Sequence, residues 1–244
     1  MDEYAGTAPI SRALVVTAHP DDLDFEAGGT VAGWVRAGVD VAFCLVTDGD
    51  AGQSGSTPRD QVVSVRRQET LAAAAALGVS EVRFLGYPDS RVEVSLDLRR
   101  DISREIRRHR PERVLTWAPE RTWDSTPANH PDHRAVGEAT LCAVYPDAAN
   151  PYIHPELHRD EQWEAWRASE AWLMSPAEPT TYVDITDTFE AKVAALHAHA
   201  SQTGHRADLV DRIRDRAEAH ARTAGLLAGR LAEIFRVTHT GRAG

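Results

Sequence analysis

Residues 12–22 read RALVVTAHPDD, and the way this stretch divides decides the fold. Its first part, RALVVTA at 12–18, is a short apolar run dense in β-branched side chains, the pattern of a strand buried on both faces. Its second part, His19-Pro20-Asp21-Asp22, sets an imidazole and two carboxylates together where that strand ends. The strand pattern returns in VDVAFCLVT (39–47), EVRFLGY (81–87) and RVLTWA (113–118). Between these runs lie helical patterns: TVAGWVRAG (30–38), with Gly38 near its end, and 59–77, with Gly78 as its C-cap. In SLDLRRDISREIRRHR (95–110), Leu96, Ile102 and Ile106 recur at helical spacing until Pro111 stops the helix. HRAVGEATLCAVY (133–145) is one more helix. Alternating strands and helices predict an α/β fold in three layers, a mostly parallel sheet with helices on both faces. In such sheets ligands gather beyond the carboxyl ends of the strands.

The remainder is less regular. Residues 146–169 are rich in Pro, His and Trp and predict an ordered excursion. AWLM (171–174) and TYVDI (181–185) read as short strands, 186–202 as a helix capped by Thr186 or Asp187, and 206–235 as one or two amphipathic helices. No repeat or linker divides the chain, so residues 1–244 are expected to form one domain, with a core over 10–145 and a C-terminal elaboration over 146–244. The long C-terminal helices offer a surface for a homo-oligomer.

Composition narrows the partners. With 42% hydrophobic and 26% charged residues the chain is neither disordered nor fibrous. A formal net charge of -10 argues against nucleic acid, whose binding needs basic surface. Cys44 and Cys142 lie in apolar runs and read as small buried hydrophobes, neither a disulfide framework nor a CxxC site. No signal peptide or membrane-spanning run is evident, which predicts a cytoplasmic protein without membrane insertion.

A second cluster, His130-Pro131-Asp132-His133, follows the fourth strand and opens a helix, so both clusters should face one crevice. Hydrolytic zinc sites take three protein ligands from His and Asp or Glu, with water in the fourth position. His19, Asp22 and His133 supply that set. Asp21 is then free to act as general base on the zinc-bound water, and His130 to donate to a developing oxyanion. Spacing alone does not divide the labour between Asp21 and Asp22. Either cluster by itself reads as a cap or loop; two at one sheet edge favour a metal site. A closed structural zinc would use cysteines, and none lies near either cluster.

These segments resemble the PIG-L/LmbE-like metal-dependent deacetylases of N-acetylglucosamine derivatives. The resemblance rests on AHPDD (18–22), GGT (28–30), TDGDAG (47–52), Arg66 with Glu69, FLGYPD (84–89) and HPDHRAVG (130–137). It extends to NPYIHPEL (150–157), VDIT (183–186) and AHASQ (198–202). It implies a Rossmann-like fold and a mononuclear Zn2+ held by His19, Asp22 and His133. It also implies Asp21 as general base, His130 as oxyanion donor, and removal of an N-acetyl group from an amino-sugar derivative, as in the pathways to mycothiol and bacillithiol. The commonest family motif continues with Glu after the two aspartates; here that position is Leu23, followed by Asp24.

Other residues carry weaker expectations. Arg66 is a candidate for a sugar hydroxyl or the substrate carbonyl, against an ion pair with Glu69. Asp48 is a candidate for orienting ligands or binding sugar, against a turn role, and Asp89 for a sugar contact. The glycines at 28 and 29 lack the GxGxxG spacing of a dinucleotide site and read as backbone-packing positions. The loop 48–58 is a lid candidate. Two alternatives stand beside the deacetylase reading: an amidase acting on larger thiol conjugates with the same zinc site, and a non-catalytic carbohydrate- or nucleotide-binding module.

Overall fold

A computed structural model describes residues 9–52, 58–123 and 129–241. The strands are β1 (Arg12–Thr17), β2 (Asp40–Thr47), β3 (Glu81–Tyr87), β4 (Arg113–Trp117), β5 (Glu170–Met174), β6 (Thr181–Asp184) and β7 (Ala232–His239). They form one seven-stranded sheet in the order β3-β2-β1-β4-β5-β7-β6. β1 to β5 pair in parallel, as expected; β7 runs antiparallel between β5 and β6.

The strand period of two sorts side chains to the two faces. Ala13 and Val15 of β1, with Val41, Phe43 and Leu45 of β2, join one core cluster, whereas Leu14, Val16, Ala42, Cys44 and Val46 join the other. The first face is covered by α2 (Gly28–Arg36), α3 (Arg59–Ala76), α7 (Phe189–Ala198) and α9 (Leu209–Thr223), through Val31, Ala73, Leu196 and Ile213 among others. The second is covered by α4 (Leu96–His109) and α5 (Pro131–Cys142), through Leu98, Ile102, Ile106, Val136 and Ala139. The remaining helices are short: α1 (Asp22–Glu26), α6 (Pro155–Arg159) and α8 (Ala200–Thr203). Cys44 is buried, Cys142 only partly so, and both are free thiols. None of the described helices is long and apolar enough to cross a membrane.

Several boundaries differ from the sequence expectation. The helical reading of 206–235 holds only for Leu209–Thr223; after Gly225 and Gly229 the chain turns back as β7. In AEIFRVTH, Phe235 and Val237 pack against the core and Arg236 between them is exposed. Glu233, in this strand, also explains why α2 begins at Gly28 and not Thr30. Its buried carboxylate accepts hydrogen bonds from the N–H groups of Gly29 (3.0 Å) and Thr30 (2.8 Å) and from the Thr30 hydroxyl (2.5 Å). It also pairs with buried Lys192 at 2.6 Å. An anion satisfying the free N–H groups of a helix start is favourable. Gly29 is a packing position, since a Cβ there would stand 2.7 Å from Cβ of Ile185. The predicted helix 186–202 is interrupted at His199, which separates α7 from α8. The predicted helix 133–145 starts at Pro131 and its regular part ends at Cys142.

The strand order reverses between β1 and β4, which run side by side and continue in opposite directions across the sheet. The crevice at such a switch point is where an open α/β sheet binds ligands. The two His/Asp loops leave these two strands.

Candidate metal centre

His19, Asp21 and Asp22 leave the end of β1, and Asp21 is the N-cap of α1. His133 lies in the first turn of α5, whose N-cap is His130. Three donor atoms from these segments converge. His19 Nδ1 is 3.4 Å from Asp22 Oδ1 and 3.1 Å from His133 Nε2, and His133 Nε2 is 3.1 Å from Asp22 Oδ1. A tetrahedral zinc with bonds of about 2.0–2.2 Å spaces its ligand atoms about 3.3 Å apart, so the trio fits such an ion.

The surrounding contacts aim these atoms. The other carboxylate oxygen of Asp22, Oδ2, accepts from the N–H groups of Ala18 (3.1 Å) and His19 (2.8 Å) and from the Trp117 indole (3.0 Å). With Oδ2 so engaged, Oδ1 faces the histidines. The Trp117 ring stacks on His133, with centroids 3.8 Å apart and planes 6° from parallel. On its far side, His19 Nε2 lies 3.2 Å from Asp89 Oδ1 and 3.4 Å from Asp132 Oδ2. Asp132 is fully buried and also accepts from the Ser90 N–H at 2.7 Å. Two other donor groupings therefore exist here: His19 with His130 and His133, and His19 with Asp89 and Asp132. An imidazole that binds a metal through one nitrogen characteristically donates the other N–H to a carboxylate. His19 offers that division, with Nδ1 toward Asp22 and His133 and Nε2 toward Asp89 and Asp132.

The electrostatics suit a cation. Burial opposes charge on His19, but the Asp22 charge and hydrogen bonds with Asp132, Asp22 and Asp89 outweigh it and raise the imidazole to about 12. Asp22, although buried, is held well below the usual carboxylate range by His133 and His19. Asp89 is lowered to about 2, chiefly by His19, against the cost of its burial. His130 moves the other way: burial and the neighbouring His19 and His133 lower its pKa. The Nδ1 atom of His130 accepts the Asp132 N–H at 3.2 Å. The neutral ring therefore carries its hydrogen on Nε2.

The remaining predicted residues are placed as follows. Asp21 accepts from Arg66 Nη2 at 2.9 Å, and Arg66 Nη1 donates to the Gly49 carbonyl at 2.9 Å. Arg66 is thus buried behind Asp21 and ties the Asp21 loop to the loop after β2. Gly49 has φ +65°, and a Cβ there would stand 2.0 Å from Arg66 Nη1, so a side chain at 49 and the guanidinium exclude each other. Glu69 turns to Ser201. Asp48 is held by Arg67 through two bonds of 2.7 and 3.0 Å. Asp89 also accepts from the Ala51 N–H at 3.1 Å. Residues 53–57 of the lid candidate lie outside the described residues.

Sequence reasoning assigned no role to Asp132 or Trp117. Asp132 stands inside the HPDH segment and Trp117 ends β4, so both were within sight of the motifs. Leu23 packs into the core, and Asp24 instead pairs with His199.

Residues 14–144 match the PIG-L family, described as GlcNAc-PI de-N-acetylase. The chain belongs to the PIG-L family. It is 33% identical to a Bacillus cereus protein named "Probable N-acetyl-alpha-D-glucosaminyl L-malate deacetylase 2", over 79% of this chain and 84% of that one. It is 30% identical to the 1D-myo-inositol 2-acetamido-2-deoxy-alpha-D-glucopyranoside deacetylase of Rhodococcus erythropolis, over 80% of this chain and 82% of the relative. Among solved structures it superposes on the N,N'-diacetylchitobiose deacetylase of Pyrococcus horikoshii with a TM-score of 0.85 and 27% identity, covering 94% of this chain and 84% of the other. These PIG-L relatives differ in what their sugar is attached to and agree in naming a deacetylase.

Proposed function

We propose that this PIG-L protein is a zinc-dependent hydrolase that removes the N-acetyl group from an N-acetylglucosamine-type sugar derivative. The observation that carries the reading is the convergence of His19 Nδ1, Asp22 Oδ1 and His133 Nε2 at 3.1–3.4 Å beside Asp21 and His130. The names of the relatives supply the substrate class.

A divalent metal held by His19, Asp22 and His133 would supply the Lewis acidity that makes water a nucleophile at neutral pH. The protein does the rest. Asp21, fixed by Arg66, takes the proton from water as its oxygen bonds to the amide carbon. His130 donates its Nε2 hydrogen to the oxygen that gains negative charge. The C–N bond then breaks, and the proton held by Asp21 passes to the departing nitrogen. The products are acetate and a free amino sugar. The Asp89 and Asp132 carboxylates, 3.2 and 3.4 Å from His19 Nε2, offer that nitrogen a negative partner and favour Nδ1 facing the metal.

The test is a panel of N-acetylglucosaminyl compounds, assayed by fluorescent detection of the new primary amine, for the wild type and Asp21→Asn. General acid–base steps are worth roughly 10²–10⁴-fold. Asp21→Asn should keep its metal and lose turnover in that range. Undiminished turnover in a metal-loaded Asp21→Asn protein would sink the base assignment. Zinc-loaded wild type that releases no acetate from any compound would sink the deacetylase reading.

A further inference from the structure

Asp24 and His199 form a second His–Asp contact that the proposed chemistry does not use. His199 Nε2 is 2.8 Å from Asp24 Oδ2, and both side chains are buried. Asp24 belongs to α1, the short helix that Asp21 opens, and α1 has no side-chain N-cap of its own. His199 stands at the break between α7 and α8. Two residues on, the same turn is tied elsewhere: Ser201 donates its N–H (2.6 Å) and its hydroxyl (2.7 Å) to the Glu69 carboxylate. Glu69 lies on α3 almost one helical turn after Arg66, the residue that holds Asp21 at 2.9 Å.

These contacts close on themselves. From Asp21 the path runs to Arg66, along α3 to Glu69, across to Ser201, back to His199, across to Asp24, and along α1 to Asp21. His199 lies within electrostatic reach of both Asp21 and Arg66. We infer that the turn His199–Ser201 is a positioning device for Asp21. It fixes α1 through Asp24 and fixes α3 through Glu69, and so sets the place from which Arg66 presents the Asp21 carboxylate to the reacting water. Asp24, His199, Ser201 and Glu69 are positioning residues that touch neither substrate nor metal. The break in the helix at His199 is what makes the device: it turns the imidazole inward and leaves the Ser201 N–H free for Glu69.

The inference rests on the hydrolase reading above, and its test is arranged so that the two can fail separately. Glu69→Ala opens the ring at a half-buried position, and Glu69→Gln keeps an oxygen that can accept from Ser201. A displacement of about 1 Å of a reacting group costs up to roughly a hundredfold. Glu69→Ala should therefore lower kcat roughly tenfold to a hundredfold, with KM within about twofold and metal content unchanged. Glu69→Gln should recover most of that loss. Combining Glu69→Ala with His199→Ala should cost no more than the worse single change, because both open one ring. A folded, metal-loaded Glu69→Ala protein with wild-type kcat overturns the inference and leaves the hydrolase reading intact. So does a loss that tracks metal content or melting temperature, or strictly multiplicative costs in the double variant. A wild type without turnover overturns both. If Glu69→Ala does not fold, His199→Ala decides in its place, because it removes the contact with Asp24: a kcat loss at unchanged KM and metal content supports the ring, and none overturns it.

Discussion

Two histidines meet aspartates of the same short segment, and they meet them to different ends. His19 beside Asp22 and His199 beside Asp24 are both buried, and in both the carboxylate raises the imidazole against the cost of burial. At His19 a third donor joins, His133 Nε2, and the opposite ring nitrogen has Asp89 and Asp132. At His199 the contact among the described residues is with the Asp24 carboxylate alone. Burial also raises the Asp24 carboxyl, where Asp22 is held far down. Residue types therefore do not distinguish a metal site from a strut. Convergence of several donor atoms on one point does, and so does the surplus of negative charge around that point.

The largest way to break the comparison is to remove the third donor. His133→Ala takes away the third atom of the trio and leaves Nδ1 of His19 facing Asp22 alone of its two partners. Metal content by elemental analysis should fall from about one per chain to near zero, and turnover with it, by more than the loss in Asp21→Asn. A His133→Ala protein that retains stoichiometric zinc would remove His133 from the ligand set and turn attention to His19 with Asp89 and Asp132.

The comparison sharpens when protons are counted. With its imidazole raised to about 12, His19 is protonated in the metal-free protein at neutral pH. A metal binds the neutral ring, so binding must release that proton. The sign follows: affinity rises with pH, because proton and metal compete for one nitrogen. Zinc titrations in buffers of different ionisation enthalpy should report release of about one proton, and apparent affinity should weaken as pH falls from 8 to 6. His199 ligates nothing in this reading and should leave that count unchanged when replaced by Gln. An uptake that releases no proton would contradict the charge on His19.

How much of this was legible in the sequence follows from the range of the contacts. β1, β2 and β4 are central in the sheet and covered on both faces, so their apolar runs betray them without reference to anything distant. The two His/Asp loops were legible because each is local and each follows such a strand. β7 was not. Its polar positions, Glu233 and Arg236 among them, interrupt the apolar run, and the helical pattern of α9 runs into it through Leu226 and Leu227. The glycines at 225 and 229, followed by the β-branched and aromatic residues of IFRVT, were the available signal. The role of Glu233 at the start of α2 spans some two hundred residues, and no local pattern announces it. The same holds for Asp24 with His199 and for Glu69 with Ser201. Arg66 showed the opposite failure: its pairing with Glu69 is the natural helical expectation, but the fold brings Asp21 and the Gly49 carbonyl to its guanidinium.

The smallest expected effect tests the aim of the donor and not its presence. Trp117 gives its indole N–H to Asp22 Oδ2 and its ring face to His133. Trp117→Phe removes the donor and keeps an aromatic face. Asp22 Oδ2 retains two partners, the N–H groups of Ala18 and His19, so it stays turned away from the histidines. One hydrogen bond to a charged group contributes about 1.5–3 kcal/mol net, and the two that remain place this loss at the lower end, about a tenfold weakening of zinc binding. Turnover at saturating zinc should stay within a fewfold of wild type, since neither Asp21 nor His130 touches the indole. If the loss instead reaches that of His133→Ala, the Trp117 hydrogen bond, and not the backbone N–H pair, is what points Asp22 at the metal.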